Sequence, residues 1–340
     1  MPLRNFLRQI LAGDQLSQRD ARNAMDAIMK GTCEPAQIAA LLTGLRMRGE
    51  TGEELAGMAA SMRAHVVPVS APAGPLIDTC GTGGDGAQTI NISTAAALVA
   101  AAGGAVVAKH GNRSISSKCG SADVLEAMGV PVDLDVPQVE ECLRACGIGF
   151  LFAPSHHPAM RHVMPVRRAL GVRTAFNLLG PMTNPAGARR QVIGVFAPQY
   201  VEVMARALAE LGSKHVLVVC GEDGSGGVLD EISTCGSTLL WELRDGTLSQ
   251  HELSPEALGL RRSPVSSLKG GDAAQNASAL LAVLSGEPGP RGDAVAANAG
   301  AALYVAGLSE SIAAGVVTAQ ELLATGAAMD TLRALREASV

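Results

Sequence analysis

Four groups of residues in this chain have the types and spacing to do chemistry. The first is the run Asp78-Thr-Cys-Gly-Thr-Gly-Gly-Asp-Gly86, with glycines at 81, 83, 84 and 86. Glycine turns tightly and lets backbone N–H groups approach an anion with no Cβ in the way. A helix is expected to open just downstream at Asn91-Ile-Ser-Thr94, and its N-terminal amides and dipole would add a second anion site. A bare glycine run is as often a plain strand–helix turn. Here Thr82, Thr89, Asn91, Ser93 and Thr94 add hydroxyl and amide donors, which tips the reading toward a phosphate-bearing ligand. No Lys-Ser/Thr pair follows the last glycine, so this is not a P-loop; nor is it GxGxxG, which disfavours a dinucleotide.

The second group is Lys109-His-Gly-Asn-Arg-Ser-Ile-Ser-Ser117, at the end of the next expected strand. Two cations and three serines around a glycine suit a diphosphate or a phosphorylated sugar. The third is the pair Asp230-Glu231. Adjacent carboxylates are usually solvated charge, but beside a diphosphate they become Mg²⁺ ligands, because Mg²⁺ prefers oxygen donors and bridges to phosphates. The fourth is His156-His-Pro-Ala-Met-Arg-His162 with Arg167 and Arg168. It lacks the HExxH pattern of a zinc hydrolase. Its positive charge suits an acceptor carboxylate, against the plain alternative of a charged surface helix.

Composition narrows the classes. The net charge is −5, which argues against a general nucleic-acid-binding surface. Positive charge is instead local, at Lys109, His110, Arg113 and Lys118 and again at Arg161, Arg167, Arg168 and Arg173. One Trp, two Tyr and five Phe are too few for base-stacking platforms. Seven cysteines, an odd number with no CxxC pair, make a disulfide framework or zinc site improbable. Cys142 and Cys146 read as one buried helix face. No membrane span and no export signal are seen, so the expected location is the cytoplasm.

The elements that must position these residues fall into two parts. Residues 1–70 read as helices, marked by Ser17 with Asp20, Glu34-Pro35 and Thr51 as starts. A Pro/Ala/Gly-rich linker follows at 66–75. Residues 71–340 then read as α/β. A short strand ends at Leu76-Ile77, the glycine loop spans 78–88, a helix spans 93–102 up to Gly103-Gly104, and a strand spans 105–108. This unit implies parallel strands with a right-handed crossover. Further strands are expected at 191–196 and 215–220. Helices are expected at 122–128, 137–146, 200–211, 273–284, 293–306 and 318–338. A hairpin turning at Gly246 is expected within 227–253.

Taken together, GTGGD (81–85), NIST (91–94), KHGNRSISS (109–117), HHPAMR (156–161) and RTAFNLLGPMTNP (173–185) resemble the anthranilate phosphoribosyltransferases. The resemblance covers nearly the whole chain, to Asn298 in the late helix. It implies an α/β fold with a small all-helical N-terminal domain, as in type II nucleoside phosphorylases. It also implies a crossing segment near 170–188 and a homodimer joined through helical-domain surfaces. The implied substrates are 5-phosphoribosyl-1-diphosphate (PRPP) and anthranilate, with two Mg²⁺ per monomer and neither nucleic acid nor membrane as partner. PRPP would be held by Gly81, Gly84, Asp85, Thr89, Asn91, Ile92, Ser93, Thr94, Lys109, His110, Gly111, Asn112, Arg113, Ser114, Ile115, Ser116, Ser117 and Ser121. Anthranilate would meet Gly81, Asn112 and Arg167, the last matching its carboxylate, with His110 and His157 along the acceptor path. Ser93, Asp230 and Glu231 would hold the metal. Three departures stand out: Cys119 where Ser is common, Cys220 where His is common, and a segment GEDGSGGVLDE (221–231) longer than usual.

Displacing diphosphate from C1 of a ribose passes through an oxocarbenium-like state. Positioning and electrostatics can supply most of the acceleration, and no residue is assigned as covalent nucleophile or general base. A pyrimidine nucleoside phosphorylase of the same fold is the competing enzyme reading, and it would not need the Asp-Glu pair. A nucleic-acid-binding relative without activity is the third, and the acidic charge disfavours it.

Overall fold

The computed structural model describes residues 3–114 and 118–340. The chain opens with four helices: α1 (Arg4–Leu11), α2 (Gln18–Met29), α3 (Pro35–Arg48) and α4 (Gly52–Ala64). Their starts are set locally. The Ser17 hydroxyl accepts from the Asp20 amide at 3.1 Å, Pro35 occupies the first turn of α3, and Thr51 and Glu54 cap each other reciprocally. The fully buried Glu54 also accepts from the Leu16 amide at 2.8 Å and pairs with Arg48, which ties the α3–α4 corner to the loop before α2.

The rest is built on one eight-stranded sheet: β1 (Leu76–Gly81), β2 (Val106–Gly111), β3 (Ile148–Phe152), β4 (Arg190–Gly194), β5 (His215–Glu222), β6 (Val228–Leu229), β7 (Thr238–Arg244) and β8 (Thr247–Leu253). The spatial order is β3-β2-β1-β4-β5-β7-β8, with β6 paired to the end of β5. The first five strands in that order are parallel. The chain runs outward from β1 to β3 and then returns to place β4 on the other side of β1. The C-terminal ends of β1 and β4 are therefore a topological switch point, where open α/β sheets bind ligands.

Alternating side chains of β5 feed two cores. Leu217 and Val219 join an alanine-rich layer that includes α5 (Ile92–Ala102) and the helix Pro290–Ala306. Val216, Val218 and Cys220 join a second core with α1–α4, the helix Gln199–Glu210 and the stretch around Ala175–Met182. Three hydrogen bonds tie the end of the bundle and the linker to later segments: Arg63 to the Met182 carbonyl at 2.7 Å, Val67 N to the His156 carbonyl at 2.9 Å, and Val69 N to the Pro185 carbonyl at 3.2 Å.

Four expectations need correcting. β1 does not stop at Ile77; Asp78–Gly81 pair with Gln191–Gly194, so the first four residues of the expected glycine loop are strand. β2 likewise extends to Gly111 by pairing with β3. The strand Ile148–Phe152 itself was not expected. Its apolar run follows Gly147, which caps the preceding helix in the left-handed region at φ 71°. The single helix expected over 318–338 is two, Ile312–Ala324 and Ala327–Ala338, broken at Gly326 with φ 79°. The hairpin is β7–β8, turning on Asp245 (φ 49°) and Gly246 (φ 86°), a two-residue turn suited to Asp-Gly. No single described helix is long and apolar enough to cross a membrane; the two C-terminal helices meet that test only as a pair bent by 69°.

Candidate active site

At the switch point Gly81 of β1 lies beside Gly194 of β4. Both must be glycine because Asp230 sits against them. A Cβ on Gly81 would strike the Asp230 carboxylate, and one on Gly194 would overlap the Asp230 carbonyl. The long segment before Asp230 folds compactly. Asp223 accepts from Ser225 N (2.7 Å) and Gly227 N (2.8 Å), and β6 then pairs back onto Gly221 and Glu222. The extra residues thus form a small hairpin that still delivers Asp230 and Glu231 to the switch point.

The glycine loop closes on that pair. Gly83 N donates to Asp230 Oδ2 at 2.7 Å, and Gly83 and Gly84 take φ of 66° and 82°, which L-residues rarely adopt. Asp85 accepts from Ala87 N at 3.0 Å and from Asp230 N at 3.3 Å. Arg173 donates to the Gly84 carbonyl and lies over the Phe196 ring at 4.3 Å. Thr89 bridges antiparallel to Lys269.

The start of α5 differs from the sequence expectation. Its first amides do not face an open anion site. Ile92 N donates to the Ile90 carbonyl, Thr94 N and Ala95 N to the Asn91 carbonyl, and Ser93 N to Glu231 Oε1 at 3.1 Å. The helix terminus is occupied by an internal carboxylate. Ile92 is buried in the core, and the Thr94 hydroxyl is buried with no hydrogen-bond partner among the described residues. Asn91 spans two loops, donating to the Cys119 carbonyl at 3.2 Å and accepting from Asn276 at 2.8 Å.

Asp230 and Glu231 are short of positive charge. Burial, then the neighbouring Asp85, pushes Asp230 up to about 7. Burial, then Asp230, pushes Glu231 well above the usual carboxylate range. With Asp85 alongside, the pair is an all-oxygen donor set, which fits Mg²⁺. Among the described residues no three His, Cys, Asp or Glu side chains form a ready metal cage. That also suits Mg²⁺, which keeps water and phosphate oxygens among its ligands.

The second motif is divided. Lys109 is 2 % exposed and donates to the Thr79 carbonyl at 2.7 Å; burial lowers its pKa against the opposing pull of Asp78. Its ammonium therefore supports β1 from beneath. Arg113 is held by Glu126 (2.5 and 2.7 Å) and Asp123 (3.2 Å), and its pKa is raised by the bond to Glu126. Asn112 accepts from Arg113 N through its side chain at 2.7 Å and from Ser121 Oγ through its carbonyl at 3.3 Å. Ser114 N donates to Asp123 at 3.1 Å. Gly111 packs against Ser121 and Phe150 with no room for a Cβ. Ile115, Ser116 and Ser117 lie outside the described residues.

On the acceptor side His110 and His157 meet Nε2 to Nε2 at 3.2 Å. Burial, then His157, lowers His110 to about 3; burial, then His156, lowers His157 to about 4. Both rings are neutral near pH 7, so one Nε2 must carry the proton and the other accept it. The Arg167 guanidinium has no hydrogen bond or ion pair among the described residues. It lies over Phe176 at 5.5 Å, and burial lowers its pKa. Sequence reading missed two buried residues that frame this side. Asp78 accepts from His110 N at 3.1 Å and from Asn184 at 2.8 Å, and Asn184 also donates to the Ala108 carbonyl at 2.8 Å. Both stand inside quoted motifs, but nothing in their spacing says that they join.

A helical bundle beside a parallel sheet, with a glycine loop and an acidic pair at its switch point, is an architecture of glycosyl transferases. Residues 4–66 match the glycosyl transferase family, helical bundle domain, and residues 73–329 match the glycosyl transferase family, a/b domain. An anthranilate phosphoribosyltransferase of Rubrobacter xylanophilus is 53% identical over 97% of this chain and 95% of its own. The crystal structure of the anthranilate phosphoribosyltransferase of Thermus thermophilus superposes with a TM-score of 0.92 at 46% identity, covering 98% of each chain. That of Saccharomyces cerevisiae, in complex with PRPP and Mg, gives 0.88 at 27%, covering 99% of this chain and 97% of its own. This chain belongs to the anthranilate phosphoribosyltransferase family.

Proposed function

We propose that this enzyme transfers the phosphoribosyl group of PRPP to the amine of anthranilate, releasing diphosphate, the second step from chorismate toward tryptophan. The observation that carries the reading is the convergence of Gly81, Gly83, Asp230 and Glu231 at the switch point, 3.2 Å-paired histidines beyond them, and an Arg167 guanidinium with no ion pair among the described residues. The glycine-loop amides and the motif 109–117, with Asn112 inside it and Ser121 just beyond, hold the phosphates. Asp230, Glu231 and Ser93 hold Mg²⁺, two ions per monomer, together with diphosphate oxygens and water. Bound there, the metal neutralises charge on the leaving diphosphate. Arg167 pairs with the anthranilate carboxylate in a half-buried setting where a charge-assisted bond is strong. The neutral His110–His157 pair lines the path of the weakly basic amine without putting positive charge near the forming oxocarbenium.

We further assign residues 1–70 to a helical domain and 71–340 to the PRPP-binding domain, with 170–188 crossing between them. Leu11 (82 % exposed) and Met47 (84 %), on the adjacent helices α1 and α3, support a homodimer through this face. The cytoplasm is the proposed location. Loss of anthranilate fluorescence on mixing with PRPP and Mg²⁺ is the decisive assay. Phosphorolysis of uridine or thymidine with no loss of anthranilate would overturn the reading in favour of a nucleoside phosphorylase.

A further inference from the structure

The helix Pro290–Ala306 is a nearly continuous run of buried small and apolar residues from Ala294 to Leu303. Asn298 interrupts it at 2 % exposure. A polar amide in such a place is costly unless every donor and acceptor is used. Here they are used. Asn298 Oδ1 accepts from Ile232 N at 2.9 Å, and Nδ2 donates to the Ile232 carbonyl at 3.1 Å and to the Ala294 carbonyl at 3.0 Å. One side chain thus grips both backbone polar groups of a single residue. That residue immediately follows Glu231.

The remaining bonds of this segment show what the grip does. Upstream, Asp230 N is held by Asp85 at 3.3 Å and its carboxylate by Gly83 N at 2.7 Å. Downstream, Ser233 N donates to Thr238 Oγ1 at 2.9 Å, and Ser233 Oγ donates to the Glu222 carbonyl at 2.5 Å. Ser93 N, at the start of α5, donates to the Glu231 side chain at 3.1 Å, whereas Asn298 reaches the backbone of the segment from the middle of a buried helix. It fixes the backbone position from which the Asp230 and Glu231 side chains project.

We propose that Asn298 is a positioning residue for the metal-binding pair Asp230-Glu231. It fixes the backbone from which the pair projects toward the switch point, so that the cation meets a preformed site. This rests on the reading of the pair as Mg²⁺ ligands. Partners of this kind affect metal affinity by roughly 10–100-fold.

Asn298→Asp keeps the shape and the acceptor but removes both donors. Val295→Ala, on the same helix and fully buried, is the control for helix packing alone. Three readouts are compared: the Mg²⁺ concentration for half-maximal activity, Mn²⁺ binding in the presence of inorganic diphosphate followed by electron paramagnetic resonance, and amide exchange across 230–234 in metal-free protein. Asn298→Asp is expected to raise the Mg²⁺ requirement and weaken Mn²⁺ about tenfold or more. Exchange at 230–234 should quicken, and the KM for anthranilate should stay unchanged. Val295→Ala should lower Tm and leave the metal readouts alone. If both variants change the metal readouts in proportion to lost Tm, or if Asn298→Asp changes neither metal readout, the positioning role is overturned. Asp230→Asn, measured alongside, separates the two ideas: if it leaves Mn²⁺ binding intact, the metal reading itself fails, whatever Asn298 does.

Discussion

The two halves of the site are both withdrawn from solvent, the histidines most fully, but electrically opposite. On the donor side, Asp230 and Glu231 are carboxylates with too little positive charge around them, and their pKa values rise. On the acceptor side, His110, His157 and Arg167 are bases with too little negative charge around them, and theirs fall. Each half is missing the charge that its proposed ligand carries. A cation with a polyanionic donor completes the first, and a carboxylate completes the second. Desolvation that would be a plain cost in an idle fold becomes preorganisation when the ligand supplies the counter-charge.

The comparison breaks most severely at Asp230. Asp230→Asn keeps the shape, so Gly83 N still finds an acceptor, but removes the charge that calls for a cation. Activity at limiting Mg²⁺ is expected to fall roughly a hundredfold, about 2.7 kcal/mol in barrier. The melting temperature of the metal-free protein should rise or hold, because one buried repulsive charge is gone. Full activity at limiting Mg²⁺ would remove Asp230 from the metal site.

Arg167 tests the other half. With Arg167→Ala, the KM for anthranilate is expected to rise about 10–100-fold while the KM for PRPP changes little. Steady-state kinetics with each substrate varied in turn checks this. An unchanged anthranilate KM would sink the carboxylate pairing. Equal shifts in both constants would mean that Arg167 acts through domain geometry instead.

How much of this was legible in the sequence differs between the halves for a physical reason. The glycine run, the Asp-Glu pair and the helix start are local signals, and strand, loop and helix followed from them. The strand ends were not local. Asp78–Gly81 became strand because Gln191–Gly194, over a hundred residues later, lies alongside. The same holds for charge. Lys109 and Arg113 read as phosphate ligands from their type and place; their protein partners, the Thr79 carbonyl for Lys109 and Glu126 and Asp123 for Arg113, could not be read there. Sequence gives the type of a side chain, whereas its partner depends on tertiary packing. Likewise, the helix start at 91–94 was legible as an anion site, but not that Glu231 would fill it.

The histidine pair sharpens the comparison through pH. Both rings have folded pKa values, about 3 and about 4, below the ordinary value near 6.5 of the unfolded chain. Between those limits the unfolded state binds more protons, so stability rises with pH across that window and is lost as pH falls through it. The melting temperature should therefore decline from about pH 6.5 toward pH 4. His157→Gln, which cannot take up a proton, should flatten part of that decline. Thermal melts across pH for the parent and the variant check it; identical slopes would mean the pair is not the source.

The smallest expected effect marks the edge of the donor half. Cys119 stands next to the motif proposed to hold phosphates. It is 7 % exposed, and burial, then Asp123, pushes its thiol up to about 11, so it stays uncharged at neutral pH. Its carbonyl accepts from Asn91 at 3.2 Å, and its thiol lies beside Asn276, which also bonds Asn91. The sulfur itself lies 3.5 Å from the Gly120 carbonyl, which a serine hydroxyl could also reach. Cys119→Ser is therefore expected to change stability by no more than ~1 kcal/mol and to leave both substrate KM values within error. A clear rise in the KM for PRPP would show that the side chain takes part in donor binding, and would widen the donor half by one residue.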